Sequence, residues 1–302
     1  MNVLKLIRFP NLLIIALAQI LIRYGLYVPF NATPALSDFQ FALLILATLA
    51  IAAAGYVIND IYDQEIDRIN KPNSLLVGNK ISEKQANSLF VILNIIGVGI
   101  GFYLANTIQR PVFVSFFILI SLLLYLYASS LKRILVVGNL LIAVLVAMSI
   151  LIVPIFDLLP TITWQNQVVQ TRTFLLILDF AIFAFFINWI REIVKDLLDI
   201  DGDKKGGINT LPIAIGRSRT LKIIMALTFL LLCGIIYYMY ENLYKQQYLM
   251  LYFLVFIVGP LLYLFIKTFD AKSKKRYRFM ASLLKIIMLM GICAMILFRY
   301  FY

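Results

Sequence analysis

Two stretches of the chain hold side chains whose types and spacing can do chemistry. NDIYDQEID occupies 59–67 and KDLLDIDGD occupies 195–203. In the first, Asp60, Asp63 and Asp67 stand at i, i+3 and i+7, and in the second Asp196, Asp199 and Asp203 repeat that interval. At 3.6 residues per turn such positions share one helix face. Three carboxylates on one face repel one another, so a counter-cation is required. A ligand set of oxygens, with no histidine anywhere in the chain, suits a hard divalent cation such as Mg²⁺. Mg²⁺ commonly takes one or two carboxylates and completes its shell with phosphate oxygens. Two facing clusters could therefore hold two ions with a diphosphate between them.

Together with Glu65, Glu192 and Asp201, these two neighbourhoods contain nine of the chain's 15 acids. Glu65 and Asp201 fall off the shared faces. Arg191 and Lys195 precede the second motif at i and i+4, and Lys132 and Arg133 follow Tyr127 in a short connection. Such cations either balance the acids as ion pairs or take up charge on a departing diphosphate. The second reading is adopted for Lys132 and Lys195, whereas Arg133 reads as a topology determinant. Asn59 reads equally as a ligand-shell member or as a polar group at a helix end.

The elements that must position these residues are apolar. Of 302 residues, 63% are hydrophobic and 14% charged, and mean hydropathy is +0.94. Soluble domains carry about a quarter charged residues, so the composition is that of an integral membrane protein. Nine apolar runs can be drawn, at 11–30, 39–58, 86–106, 111–128, 134–156, 173–194, 221–240, 248–267 and 280–300. Each is long enough for a tilted spanning helix. Long unbroken runs exclude the short alternating strands of a barrel, so the fold class expected is all-α, a single domain over 1–302.

Lys and Arg concentrate at the N-terminus and in every even-to-odd connection. The other side has only Arg110, Arg172, Lys245 and Arg299. The excess of positive charge places the N-terminus and both acidic motifs in the cytoplasm and, with nine spans, the C-terminus outside. Topology thus accounts for the net charge of +12, and no nucleic-acid partner is expected. Lys5 and Arg8 precede the first run without a small-residue cleavage site, so that run reads as a retained span. Cys233 and Cys293 sit in apolar runs and read as buried, reduced residues. Arg23 reads as a side chain snorkelling outward. Asp179, an acid within a span, is left out of the site.

NDIYDQEID resembles the NDxxDxxxD motif of the UbiA-type intramembrane prenyltransferases, and KDLLDIDGD their second, DxxDxxxD motif. YASSLKR at 127–133 is similar to the family's Tyr-then-Lys connection, and RFPN at 8–11 to its RPxN start. The stretch from Gly202 to Pro212 looks most like the archaeal-type geranylgeranylglyceryl-phosphate geranylgeranyltransferases. Ser74 departs from the pattern, standing where an Arg is common. The resemblance implies nine helices around a central cavity with a cytoplasmic cap, in the cell (inner) membrane. It implies Mg²⁺-dependent transfer of a prenyl group from a prenyl diphosphate to a lipophilic acceptor, with membrane lipid alongside. Asp60, Asp63, Asp67, Asp196, Asp199 and Asp203 would hold metal. Asn11 and Asn59 would support that binding, and Tyr127, Lys132, Arg191 and Lys195 would act in catalysis. Geranylgeranylglyceryl phosphate is the first-choice acceptor and an aromatic quinone precursor the alternative. A cation-gated transporter is the non-enzymatic alternative.

Overall fold

A computed structural model describes residues 2–70, 72 and 75–301, so Ser74 lies outside the described residues. Among these the chain is helical, with no strand beyond a single bridge between Val77 and Ile81. Nine helices among the described residues are long and apolar enough to cross a membrane. We label them with the one short helix that matters for the site: α1 (Phe9–Phe30), α2 (Asp38–Tyr62), α3 (Gln64–Asn70, short), α4 (Glu83–Thr107), α5 (Pro111–Ser129), α6 (Val137–Thr161), α7 (Gln167–Lys205), α8 (Arg217–Leu243), α9 (Gln247–Phe269) and α10 (Lys274–Tyr300).

Local sequence explains where these helices begin. Ser37 accepts from the backbone of Gln40, whose side chain accepts from the Ser37 N–H, and Ser82 and Gln85 make the same reciprocal cap on α4. Each cap satisfies two of the backbone donors that a helix start leaves open. The 39 residues of α7 are about 58 Å long at 1.5 Å per residue, and the hydrocarbon layer is about 30 Å thick. Its C-terminal turns therefore project beyond the apolar zone, and they carry the second acidic motif.

Large apolar side chains such as Ile95, Phe102 and Tyr237 point outward, as expected where lipid rather than water is the solvent. Cys233 is exposed and Cys293 half-buried, both unpaired. This corrects the expectation that both are buried: a hydrophobic run fixes depth in the bilayer, not which face of the helix turns inward. Polar ties cross the interior. Gln19 of α1 is fully buried and donates to Thr48 Oγ1 of α2 at 3.2 Å and to the Ser149 carbonyl of α6 at 2.8 Å.

Arg23 does not snorkel. It lies in a π-helical stretch of α1, Ile22–Tyr27, and is buried. Its guanidinium meets Asp157 Oδ2 at 3.1 Å, Asp38 Oδ1 at 3.1 Å and the Leu36 carbonyl at 2.8 Å. Asp157, fully buried at the end of α6, accepts the Leu36 N–H on its other oxygen at 2.8 Å. This knot locks α1, α6 and the entry to α2 at the end of the bundle opposite the acidic motifs. Removing one partner of a buried ion pair costs about 3–5 kcal/mol. We expect Arg23→Met to lose stability on that scale in detergent, and the Arg23→Met/Asp157→Leu double variant to recover much of it. Equal thermal midpoints for wild type and Arg23→Met would show that the knot contributes nothing.

Candidate active site

The two acidic motifs come together because α3 folds back onto the end of α7. α2 ends at Tyr62, Asp63 takes a non-helical φ of −92° and ψ of 5°, and α3 resumes at Gln64. The shared helix face expected for Asp60, Asp63 and Asp67 is thus broken in the middle. Asp196, Asp199 and Asp203 lie on one uninterrupted helix, as expected.

Asn70, the last residue of α3, ties the two elements. Its amide donates to the Asp199 carbonyl at 3.1 Å and accepts the Gly202 N–H at 2.8 Å. A Cβ at position 202 would lie 2.4 Å from the Asn70 side chain, so only glycine permits this approach. A second close approach shapes the Lys132 connection. A Cβ on Gly138 would meet the Lys132 backbone at 2.9 Å, and Val136 just before it holds φ at +67°, a strained value for a β-branched residue.

These contacts enclose a cavity of about 830 Å³. Every residue expected for the site lines it: Asn11, Asn59, Asp60, Asp63, Asp67, Tyr127, Lys132, Arg191, Lys195, Asp196, Asp199 and Asp203. Glu65 and Asp201 do not. Asp201 pairs with Lys274 at 2.6 Å on the exposed surface. Deeper in, the wall is apolar, with Phe117, Phe180, Phe183, Ile187 and Met288 among its residues.

Formal charge is balanced among the described residues of the cavity: seven carboxylates, the six motif aspartates and Glu192, against the seven cations Lys5, Arg8, Lys80, Lys132, Arg191, Lys195 and Lys285. Arg8 meets Asp60 at 3.0 Å and stacks over the Tyr56 ring at 4.9 Å. Burial works against the Arg8 charge, but Asp60 and Tyr56 more than offset it and raise the guanidinium pKa. Lys132 contacts Asp63, which also accepts from Asn59 Nδ2 at 2.8 Å. Asn139 donates to Asp196 at 2.7 Å. Glu192, buried, takes Lys195 at 2.7 Å and Arg191 at 3.4 Å. Lys285 of α10 donates to Asn11 Oδ1 at 2.8 Å.

Among the described residues no three acidic side chains converge into a ready metal-holding group. The donor set nonetheless fits a hard cation. It is made of oxygens, and Asn59 Oδ1 is buried in the cavity wall with no hydrogen-bond partner. Asn188 Nδ2, Arg191 Nε and Thr210 Oγ1 are likewise buried without partners and belong to cavity-lining residues. A native interior rarely leaves such groups unsatisfied, so four of them around one cavity point to a polar ligand.

Sequence reasoning missed Arg8, Asn70, Asn139, Asn188 and Lys285 as site residues and left Glu192 without a role. A signal existed for three of them. Asn188, Arg191, Glu192 and Lys195 continue the three-and-four spacing of the second motif backward along α7. Lys285 is a lone charge inside an apolar run, a functional candidate by its cost. Arg8 opens the RFPN stretch but reads only as a charge before the first span, and Asn139 carried no local signal.

The pattern of the UbiA prenyltransferase family matches residues 12–286. A digeranylgeranylglyceryl phosphate synthase of Saccharolobus solfataricus is 34% identical over 252 residues, which are 82% of this chain and 80% of that one. The enzyme of the same name from Korarchaeum cryptofilum is 32% identical over 270 residues, 84% and 85% of the two chains. Among solved structures, one reported for digeranylgeranylglyceryl phosphate synthase in membranes is 26% identical, with a TM-score of 0.65 over 99% of this chain and 97% of its own. A UbiA homolog from Archaeoglobus fulgidus bound to GPP and Mg²⁺ shares the fold at 17% identity, with a TM-score of 0.56 over 98% of this chain and 99% of its own.

The Asn70–Gly202 contact is open to test. Gly202→Ala should force α3 off α7. Spin labels at the exposed positions 68 and 204, with Cys233 and Cys293 replaced, should then report a longer and broader distance distribution. The steric cost should lower stability by about 1–3 kcal/mol. An unchanged distribution would mean that Asn70 does not hold the motifs together.

Proposed function

The chain belongs to the UbiA prenyltransferase family and is a multi-pass membrane prenyltransferase, and on that premise we propose that it joins a geranylgeranyl group to geranylgeranylglyceryl phosphate. The observation that carries the reading is the meeting of both aspartate motifs at one cavity whose depth is apolar. A prenyl diphosphate has those two halves. Its tail gains about 0.8 kcal/mol per CH₂ placed in hydrocarbon, and its head needs cations. The relatives' shared name supports the glyceryl phosphate acceptor over an aromatic one. The whole chain, 1–302, acts as one catalytic unit, since the cavity draws residues from Lys5 to Met295.

Asp60, Asp63, Asp67, Asp196, Asp199 and Asp203 would hold Mg²⁺, two ions in this proposal, with Asn59 Oδ1 completing a ligand shell. Bound there, divalent cations neutralise the diphosphate and make it a better leaving group. The chain's own cations do the rest. Lys132, Arg191 and Lys195 now rest on Asp63 and Glu192, and from there they face the incoming diphosphate. As the bond between the first prenyl carbon and the diphosphate oxygen breaks, its electron pair leaves with the diphosphate, and these groups stabilise that charge. Tyr127 and the apolar wall flank the allylic carbon and exclude water. The free hydroxyl of the acceptor then bonds to that carbon and gives its proton to the departing diphosphate. Asn139 and Asn70 keep Asp196 and the α7 backbone in place, and Asn11 holds Lys285. The placement of Lys and Arg supports an orientation with the motifs, and so the reaction, on the cytoplasmic side of the cell membrane.

The test is turnover in detergent with labelled geranylgeranyl diphosphate and geranylgeranylglyceryl phosphate, read by product mass. Chelation of divalent ions should abolish the product and Mg²⁺ restore it. Asp63→Ala and Asp199→Ala should each reduce kcat to background, and Lys132→Ala by about 10²–10³-fold, in proteins that keep their thermal midpoints. Full activity in either aspartate variant would overturn the scheme.

A further inference from the structure

Beyond the diphosphate, the proposed reaction brings a second anion into the same cavity. The acceptor is a glycerol with one prenyl ether, one phosphate and one free hydroxyl. The hydroxyl that attacks and the phosphate therefore sit on neighbouring or nearly neighbouring carbons. Two phosphate-bearing heads side by side repel, and the second needs cations of its own.

We propose that Lys285 and Asn188 form a separate site for the phosphate monoester of the acceptor. The inference rests on the proposed function above. Lys285 differs from its neighbours in one respect. Arg8, Lys132, Arg191 and Lys195 each contact a carboxylate, whereas Lys5, Lys80 and Lys285 show no carboxylate contact among the described residues, and of these three Lys285 is the one inside a spanning helix, with the neutral Asn11 amide as its partner. A lone ammonium inside a spanning helix is costly, and a neutral residue would serve the Asn11 hydrogen bond equally well. Asn188 is 4% exposed, lines the cavity, and its Nδ2 donor has no partner. Arg191, one turn further along α7, leaves its Nε donor unsatisfied as well. The corner between α7 and α10 thus offers N–H donors, an arrangement suited to a dianionic phosphate. It lies apart from the motif aspartates: Asn188 is eight residues before Asp196, about 12 Å along the helix axis. Below Lys285, Met288, Gly291, Ile292 and Met295 continue the cavity wall on the same helix, so a prenyl chain has an apolar path beside the head.

Steady-state kinetics separate this site from the diphosphate site. For Lys285→Met we expect KM for geranylgeranylglyceryl phosphate to rise about ten- to a hundredfold, with KM for geranylgeranyl diphosphate changed less than about twofold. Asn188→Leu should move the same constant in the same direction, and Lys285→Arg should restore most of the loss. Geranylgeranylglycerol, which lacks the phosphate, should react as poorly with wild type as with Lys285→Met. A rise in the diphosphate KM instead, or no change in either constant, would overturn the assignment. Donor binding to the wild type, measured without acceptor, keeps the two levels apart. If it is absent, the proposed function fails along with this inference. If it is present and the acceptor constant is unaltered in Lys285→Met, this inference alone fails.

Discussion

Seven carboxylates facing one cavity at the edge of an apolar bundle are the constraint on which the structure depends. Each would be destabilising alone, because a charge removed from water loses solvation that an apolar wall cannot replace. The fold answers with donors from distant parts of the chain. Arg8 comes from before the first span, Lys132 and Asn139 from around the α5–α6 connection, and Lys195 from α7 itself. The tight Lys132 connection, with Val136 held at positive φ and Gly138 pressed against the Lys132 backbone, follows from that need. A strained turn is tolerated where relaxing it would withdraw a cation from Asp63.

The two ends of α2 use similar chemistry for opposite purposes. At its start, Asp38 joins Arg23 and Asp157 in a closed network, in which both Asp157 oxygens accept hydrogen bonds and the guanidinium reaches three acceptors. In that network each charged group is engaged by another, although the neighbouring Tyr27 hydroxyl is buried without a partner. At its other end, Asn59 keeps a buried oxygen without a donor, and across the cavity Asn188, Arg191 and Thr210 keep buried atoms without partners. Satisfied polar groups fix a structure, whereas unsatisfied ones anticipate a further molecule. The contrast separates the structural acids from the functional ones without reference to any relative.

Much of this was legible in the sequence, and the reasons for the rest are physical. Hydropathy gives all nine spans, because a chain in lipid must satisfy its backbone within helices. Segment ends differ most where a helix outruns the membrane, as α7 does: only 173–194 reads as apolar, yet the helix continues through the motif to Lys205. Spacing identified the six aspartates, since three-and-four periodicity is local information. It could not show the interruption at Asp63, beyond which α3 docks on α7 through Asn70, 132 residues from Gly202 in the chain. Arg23 was misread for the same reason. Its partner Asp157 lies 134 residues away, and nothing near either residue announces the other. Pairings between distant charges are decided by packing, and a periodic pattern carries no record of them.

Electroneutrality of the cavity bears on how the proposed reaction begins. Among the described residues, seven acids and seven cations leave the cavity with no net formal charge. A diphosphate entering alone would leave excess negative charge beside the aspartates, and divalent ions entering alone would leave excess positive charge beside Arg8 and Lys132. Each arrival is unfavourable where the dielectric is low, and together they nearly cancel. The donor head and its counter-ions are therefore expected to bind as a unit. The acceptor's phosphate brings further negative charge with no accompanying metal. It must be met by a cation that the acids have not already engaged, and among the cavity lysines whose contacts are described, the one resting on a neutral amide is Lys285.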